Sequence, residues 1–109
     1  MKKNDAISAL GALAQETRLD IFRLLVRSAS MQKGEGGLAA GEIARQLQLP
    51  APTLSFHLKE MARADLVRGD RRGRSIVYEP QIAVLRDVAE FLLNDCCQGV
   101  SSENEEISK

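Results

Sequence analysis

The stretch Gly41–Val67, GEIARQLQLPAPTLSFHLKEMARADLV, leaves this chain few folding options. It spells two short amphipathic helices separated by a proline-containing turn and closed by a strand. Ile43, Ala44 and Leu47 recur at helical intervals, and Leu54, Leu58 and Met61 repeat the pattern after Pro50-Ala51-Pro52. Helices this short bury their apolar stripes in one shared core. On the second helix Ser55, Lys59 and Arg63 lie four residues apart, with Thr53 and Phe56 beside them. One outward stripe therefore carries hydroxyls, an aromatic ring and two cations. Such a stripe can enter the major groove of double-stranded DNA and meet base edges and phosphates. An ordinary helical hairpin with a solvated polar face is the plainer alternative.

The segment after the helix pair favours DNA. In RGDRRGRSIVYEP (Arg68–Pro80), Val67 and the run Ser75–Glu79 read as strands around a glycine-containing turn rich in arginine, a wing. From Lys59 to Arg74 six cations (Lys59, Arg63, Arg68, Arg71, Arg72 and Arg74) face three anions, whereas the whole chain has a formal net charge of +0. A basic hairpin next to a helix pair is placed to hold phosphates, with solvated turn arginines as the alternative.

The 109 residues suffice for one core, and a composition of 44 % hydrophobic and 28 % charged residues is ordinary for a globular domain. The reading places a winged helix-turn-helix and dimerisation domain over residues 1–100 and a loose acidic tail over 101–109, where Glu103, Glu105 and Glu106 cluster. No segment approaches the roughly 20 apolar residues of a bilayer span, so no membrane is expected and the cytoplasm is the default location.

Upstream, residues 5–14 and 16–28 read as two helices and Ser28–Gly37 as a glycine-rich loop without a phosphate-cradle motif. A last helix starts near Gln81 and reaches the cysteines. Ile82, Leu85, Ala89 and Leu92 make one apolar side and Val84, Val88 and Phe91 another, more than a small domain can cover. A homodimer is the expected answer. Two reading helices would then suit a palindromic site with half-sites about 34 Å apart.

Over about residues 7–97 the chain resembles the ArsR/SmtB family of winged-helix repressors. The resemblance is carried by ALAQETRLDIFRLLV (Ala12–Val26), PTLSFHLKEMARADLV (Pro52–Val67), the arginine-rich wing and Tyr78. It implies a mainly α fold with a small β-hairpin, ordered ααααββα, dimeric through its first and last helices. It also implies a repressor released from operator DNA by metal or metalloid ions. Two of the family's ligand sites are missing. LAAGEIA has Ala39 and Gly41 where soft-metal sensors carry Cys-x-Cys, and the last helix from Gln81 to Asp95 lacks histidine. Family contacts to DNA fall on a Ser-Gln-Pro-Thr-x-Ser-His-His pattern that here reads Pro50-Ala51-Pro52-Thr53-Leu54-Ser55-Phe56-His57. The operator should differ accordingly, with Phe56 placed to touch a thymine methyl.

Cys96-Cys97 remains, where some arsenic-responsive members of the family also place adjacent cysteines, commonly with a third nearby. Two cysteines scattered over 109 positions would be neighbours in about 2 % of arrangements. Adjacent thiols make a strained disulfide ring, and as free thiolates they suit soft ions such as As(III), Sb(III) or Cd(II). Neighbours on a helix project about 100° apart, so joint chelation requires the helix to open, for which Gly99 is near. Two small apolar side chains at the dimer face are the alternative.

The expected function is thus a DNA-binding repressor, with Thr53, Ser55, Phe56, Lys59, Arg63, Arg71, Arg72 and Arg74 as DNA contacts. A trivalent metalloid (arsenite, methylarsenite or antimonite) on Cys96 and Cys97 is the inducer, and no cofactor is required. A thiol-based redox or persulfide sensor on the same fold, a soft-metal (Cd or Pb) sensor and a protein-interaction module are the competing readings. No enzyme is expected, because Ser55 and His57, two apart on one helix, point to different faces, and no other catalytic constellation appears. His57, the single histidine, reads as a structural hydrogen-bonding group.

Overall fold

The computed structural model describes the backbone of residues 1–31 and 37–107, and the side chains of 1–29 and 37–94. Its elements run α1 (Lys3–Leu13), α2 (Glu16–Met31), β1 (Leu38–Ala39), α3 (Ala40–Leu47), α4 (Ala51–Arg63), β2 (Val67–Arg72), β3 (Ser75–Pro80) and α5 (Ile82–Ile107). The core gathers Ile21 and Leu25 of α2, Ile43 of α3, Leu54, Leu58 and Met61 of α4, and Leu66 ahead of β2, all fully buried. Those from α3 and α4 are the residues whose helical spacing marks the pair in the sequence. Val88 brings α5 into the same cluster.

Both helices of the pair end on a residue in the left-handed region. Gln48 (φ 55°) follows α3 and Asp65 (φ 63°) closes the α4 end. The next amides, Leu49 N–H and Leu66 N–H, reach back to the carbonyls of Ala44 and Met61, which satisfies helix ends that would otherwise be orphaned. A side chain in this region is strained where glycine is not. Gln48→Gly is therefore expected to raise the unfolding free energy by about 0.5–1 kcal/mol, read as an increased urea midpoint at unchanged slope.

The wing is a β2–β3 hairpin paired from Val67↔Pro80 to Arg72↔Ser75. Its two-residue turn, Gly73–Arg74, has glycine at φ 64°, the first central position that a type II′ turn reserves for it. The small hairpin expected from the sequence is in fact two strands of a three-stranded antiparallel sheet, ordered β1-β3-β2. Leu38 and Ala39 add the third strand opposite Tyr78 and Val77. Two residues are too short for an alternating pattern to register. Gly37 leads into this strand at φ 110°, and a Cβ there would fall 2.6 Å from Val77 Cγ1, so only glycine fits.

Two other boundaries differ from the sequence reading. Helix α2 continues to Met31, past the loop expected from Ser28, because nothing in Ser28-Ala29-Ser30-Met31 breaks a helix. The rest of that loop, residues 32–36, lies outside the described residues. Helix α5 runs on to Ile107, through most of the segment expected to be a loose tail, and Gly99 does not end it. A lone glycine disfavours a helix by only about 1 kcal/mol.

Candidate nucleic-acid interface

Helix α4 begins at the proline pair. Pro50 stands at the N-cap and Pro52 in the first turn, where a missing N–H removes no helical hydrogen bond. With Leu54, Leu58 and Met61 turned inward, Thr53, Ser55, Phe56, Lys59 and Arg63 are left on the outer side. Phe56 is 55 % exposed, unusual for an aromatic ring and open to a partner. Arg71, Arg72 and Arg74 are exposed on the wing. Ser55 and Arg74 line one cavity between α4 and the hairpin, so the helix stripe and the wing tip face a common space.

The cations are not equally available. Among the described residues Lys59, Arg71 and Arg74 have no carboxylate partner, whereas Arg72 pairs with Glu79 at 3.1 Å and Arg63 with Glu60 at 3.7 Å. Arg63 also lines a groove against α1 with Glu60 and Arg18, at the far end of the helix. Of the eight DNA-contact candidates, Arg63 is the one drawn away from the wing. On α3, Glu42 is held by Arg45 and Gln46, which lowers its pKa from 4.5 to about 2, and Arg45 is thereby engaged.

A residue that the sequence reading did not single out ties α2 to α4. Arg18 of α2 donates from Nε to Nδ1 of His57 at 3.0 Å, and its guanidinium carbon lies 5.7 Å from the centre of the Phe56 ring. The two rings meet edge to face, 5.8 Å apart. The pairing spans 39 residues, so no local periodicity announces it. His57 is the structural hydrogen-bonding group expected of it, 8 % exposed within the core. To accept from Arg18, Nδ1 must be unprotonated.

Burial, and then the Arg18 charge, push the His57 pKa below its ordinary value. As pH falls below about 6.5, the unfolded chain takes up this proton before the folded one does, so stability drops and then levels off once the folded imidazole also titrates. With a single histidine in the chain, this drop should dominate between about pH 5 and 7. Urea midpoints measured across that interval should decline towards acid in the wild type and stay nearly flat in His57→Gln, whose amide oxygen can still accept from Arg18.

Helix α1 turns Ala6, Ala9 and Ala12 inward and leaves Ile7 (59 %) and Leu10 (42 %) exposed. On α5, Val88 is buried while Leu92 (51 %) and Leu93 (61 %) are exposed. The two helices pack together, and Ile7 also borders the groove that contains Arg18, Glu60 and Arg63. Among the described residues no group of three or more His, Cys, Asp or Glu could hold a metal ion, and no helix is long and apolar enough to cross a membrane. Cys96 and Cys97 fall on the helical backbone of α5, and their side chains lie outside the described residues.

The family model for a helix-turn-helix domain matches residues 13–70. The transcriptional repressor SdpR of Bacillus subtilis (strain 168) is 32 % identical over 83 residues, which cover 76 % of this chain and 83 % of that protein. An ArsR-like transcriptional regulator from Rhodococcus sp. RHA1 superposes with a TM-score of 0.72 at 24 % identity, over 96 % of this chain and 89 % of that one. The homodimeric winged helix-turn-helix DNA-binding domain of a possible ArsR-family regulator from Mycobacterium bovis gives 0.66 at 23 % identity, over 90 % and 84 %.

Proposed function

Since the chain belongs to the ArsR/SmtB winged-helix repressors, a helix-turn-helix family, we propose that it clamps operator DNA as a homodimer and lets go when a trivalent metalloid binds Cys96 and Cys97. The observation that carries the DNA half is the shared exposure of the α4 stripe and the wing around one concave space. Thr53, Ser55 and Phe56 meet base edges, while Lys59, Arg71, Arg72 and Arg74, with Arg63 at the margin, meet phosphates. The exposed apolar residues of α1 and α5 supply the dimer contact, and two copies of α4 address two half-sites.

The inducer half rests on donor chemistry. Two thiolates are soft ligands suited to As(III), and trivalent arsenic takes its third substituent as hydroxide or an organic group, which admits methylarsenite as well as arsenite. On a helical backbone adjacent sulfurs diverge by about 100°, so chelation has to open α5 at Cys96-Cys97. That opening links the inducer to DNA: the ion stabilises a form of α5, part of the dimer contact, that spaces the two reading helices badly. X-ray absorption of the arsenite-loaded protein should give two sulfur neighbours per arsenic, with one arsenic per cysteine pair by mass. Three sulfurs per arsenic would overturn the two-thiolate site, and a mass gain from oxidant or sulfane sulfur with none from arsenite would favour thiol redox sensing.

A further inference from the structure

A cavity of about 350 Å³ opens between α3, the first half of α4 and the wing. It is open because Ala39, Gly41, Ala44 and Ala51 offer almost no side chain to fill it. Its larger apolar lining is Leu54 and Leu58, whose other sides belong to the core, with Ile76 and Tyr78 of the wing, the latter through its ring packed on the sheet. That ring lies across Gly69 on the neighbouring strand, where a Cβ would come within 2.8 Å of it, so the wall is fixed by a position without a side chain. Ser55, Ser75 and Arg74 supply the polar lining. Among the described residues Arg74 is the only charged one lining the cavity and has no carboxylate partner, whereas Arg68 and Arg72 of the same wing have theirs.

We propose that this cavity is an effector site for a small apolar carboxylate. Its hydrocarbon body lies against Leu54, Leu58 and Tyr78, and its carboxylate pairs with Arg74 beside the hydroxyls of Ser55 and Ser75. The volume falls at the small end of ligand sites, roughly 300–1,000 Å³, which suits an acid of about a dozen heavy atoms. An unopposed guanidinium in a mainly apolar recess selects an anion over a neutral molecule of the same shape. Ser55 and Arg74 are also assigned to DNA, so an occupied cavity takes a phosphate-binding charge away from the operator. This coupling rests on the repressor reading; ligand binding itself does not.

Tyr78 is the only tyrosine and the chain has no tryptophan, so intrinsic emission reports directly from the cavity wall. The probe is 4-cyclohexylbutyrate, which is transparent at the exciting wavelength, with 4-cyclohexylbutan-1-ol as its neutral partner. Without DNA, the acid should change Tyr78 emission saturably with a Kd on the order of 0.1–1 mM, and the alcohol should bind about tenfold more weakly. Arg74→Gln should erase that preference. Ala44→Leu, which fills the cavity from α3, should abolish both responses in a chain whose far-UV circular dichroism matches wild type. An unsaturable signal, an Arg74→Gln variant that still prefers the acid, or a folded Ala44→Leu variant that still responds overturns the site. A saturable response with unchanged operator affinity in the wild type overturns the effector role and leaves the repressor reading intact.

Discussion

Replacing Arg71, Arg72 and Arg74 together by alanine should weaken operator binding about a thousandfold or more at about 0.1 M salt, because the proposed dimer would lose six phosphate contacts. The same loss should flatten the dependence of log K on log salt by about 5, at roughly −0.9 per phosphate. The fold should survive. All three side chains are exposed, and the one ion pair removed among the described residues, Arg72–Glu79, is a surface pair with side chains 45 % and 32 % exposed. Such pairs are worth between about 0 and 1 kcal/mol. The result separates two kinds of contact on one face. Phe56→Ala should lower the ratio of operator to random-DNA affinity with little change of salt slope, whereas the wing variant should lower both affinities alike. Equal operator binding by wild type and triple variant, over a salt series, would remove the wing from the interface.

Leu92→Glu with Leu93→Glu should produce a folded monomer whose operator affinity falls by about two to four decades. In the proposed dimer two copies of α4 are joined at high effective concentration, which is lost once the protomers part. Leu92 and Leu93 are more than half exposed in the single chain, so charging them removes nothing from its core. Ile7 and Leu10 are exposed on α1, which packs against α5, and Ile7→Asp should act in the same direction. Sedimentation velocity reads the oligomeric state and far-UV circular dichroism the fold. A double variant that sediments as a dimer would move the interface elsewhere, and one that is monomeric yet binds the operator like wild type would dispense with dimerisation.

The parts of the fold legible in the sequence are those where burial follows a regular period. Leu54, Leu58 and Met61 repeat at helical spacing and are buried, Ser55 and Lys59 are exposed as that spacing requires, and Gly73 sits where the tight hairpin turn needs it. What could not be read has short range or very long range. Strand β1 is two residues ending in alanine, and its place is set by Gly37 passing close to Val77. Arg18 reaches His57 across 39 positions, a pairing that only the packed helices bring about. Helix α5 passes the expected end of the domain because Ser101 to Ile107 contains no strong breaker, while composition alone suggested a loose tail. The outward faces of α1 and α5 differ in this respect. Surplus hydrophobicity was legible on α5, whereas the inward use of three alanines on α1, which leaves Ile7 and Leu10 outside, emerges only from packing.

If Cys96 and Cys97 govern operator release, the measurement to make is fluorescence anisotropy of labelled operator during titration with arsenite, methylarsenite, antimonite, cadmium and zinc. In wild type the trivalent metalloids should raise the operator Kd about tenfold or more, a coupling of about 1.4 kcal/mol, and zinc should not. Cys96→Ser and Cys97→Ser should bind the operator as tightly as wild type and hold it throughout the titration. Release that persists in both variants would contradict the role given to this thiol pair.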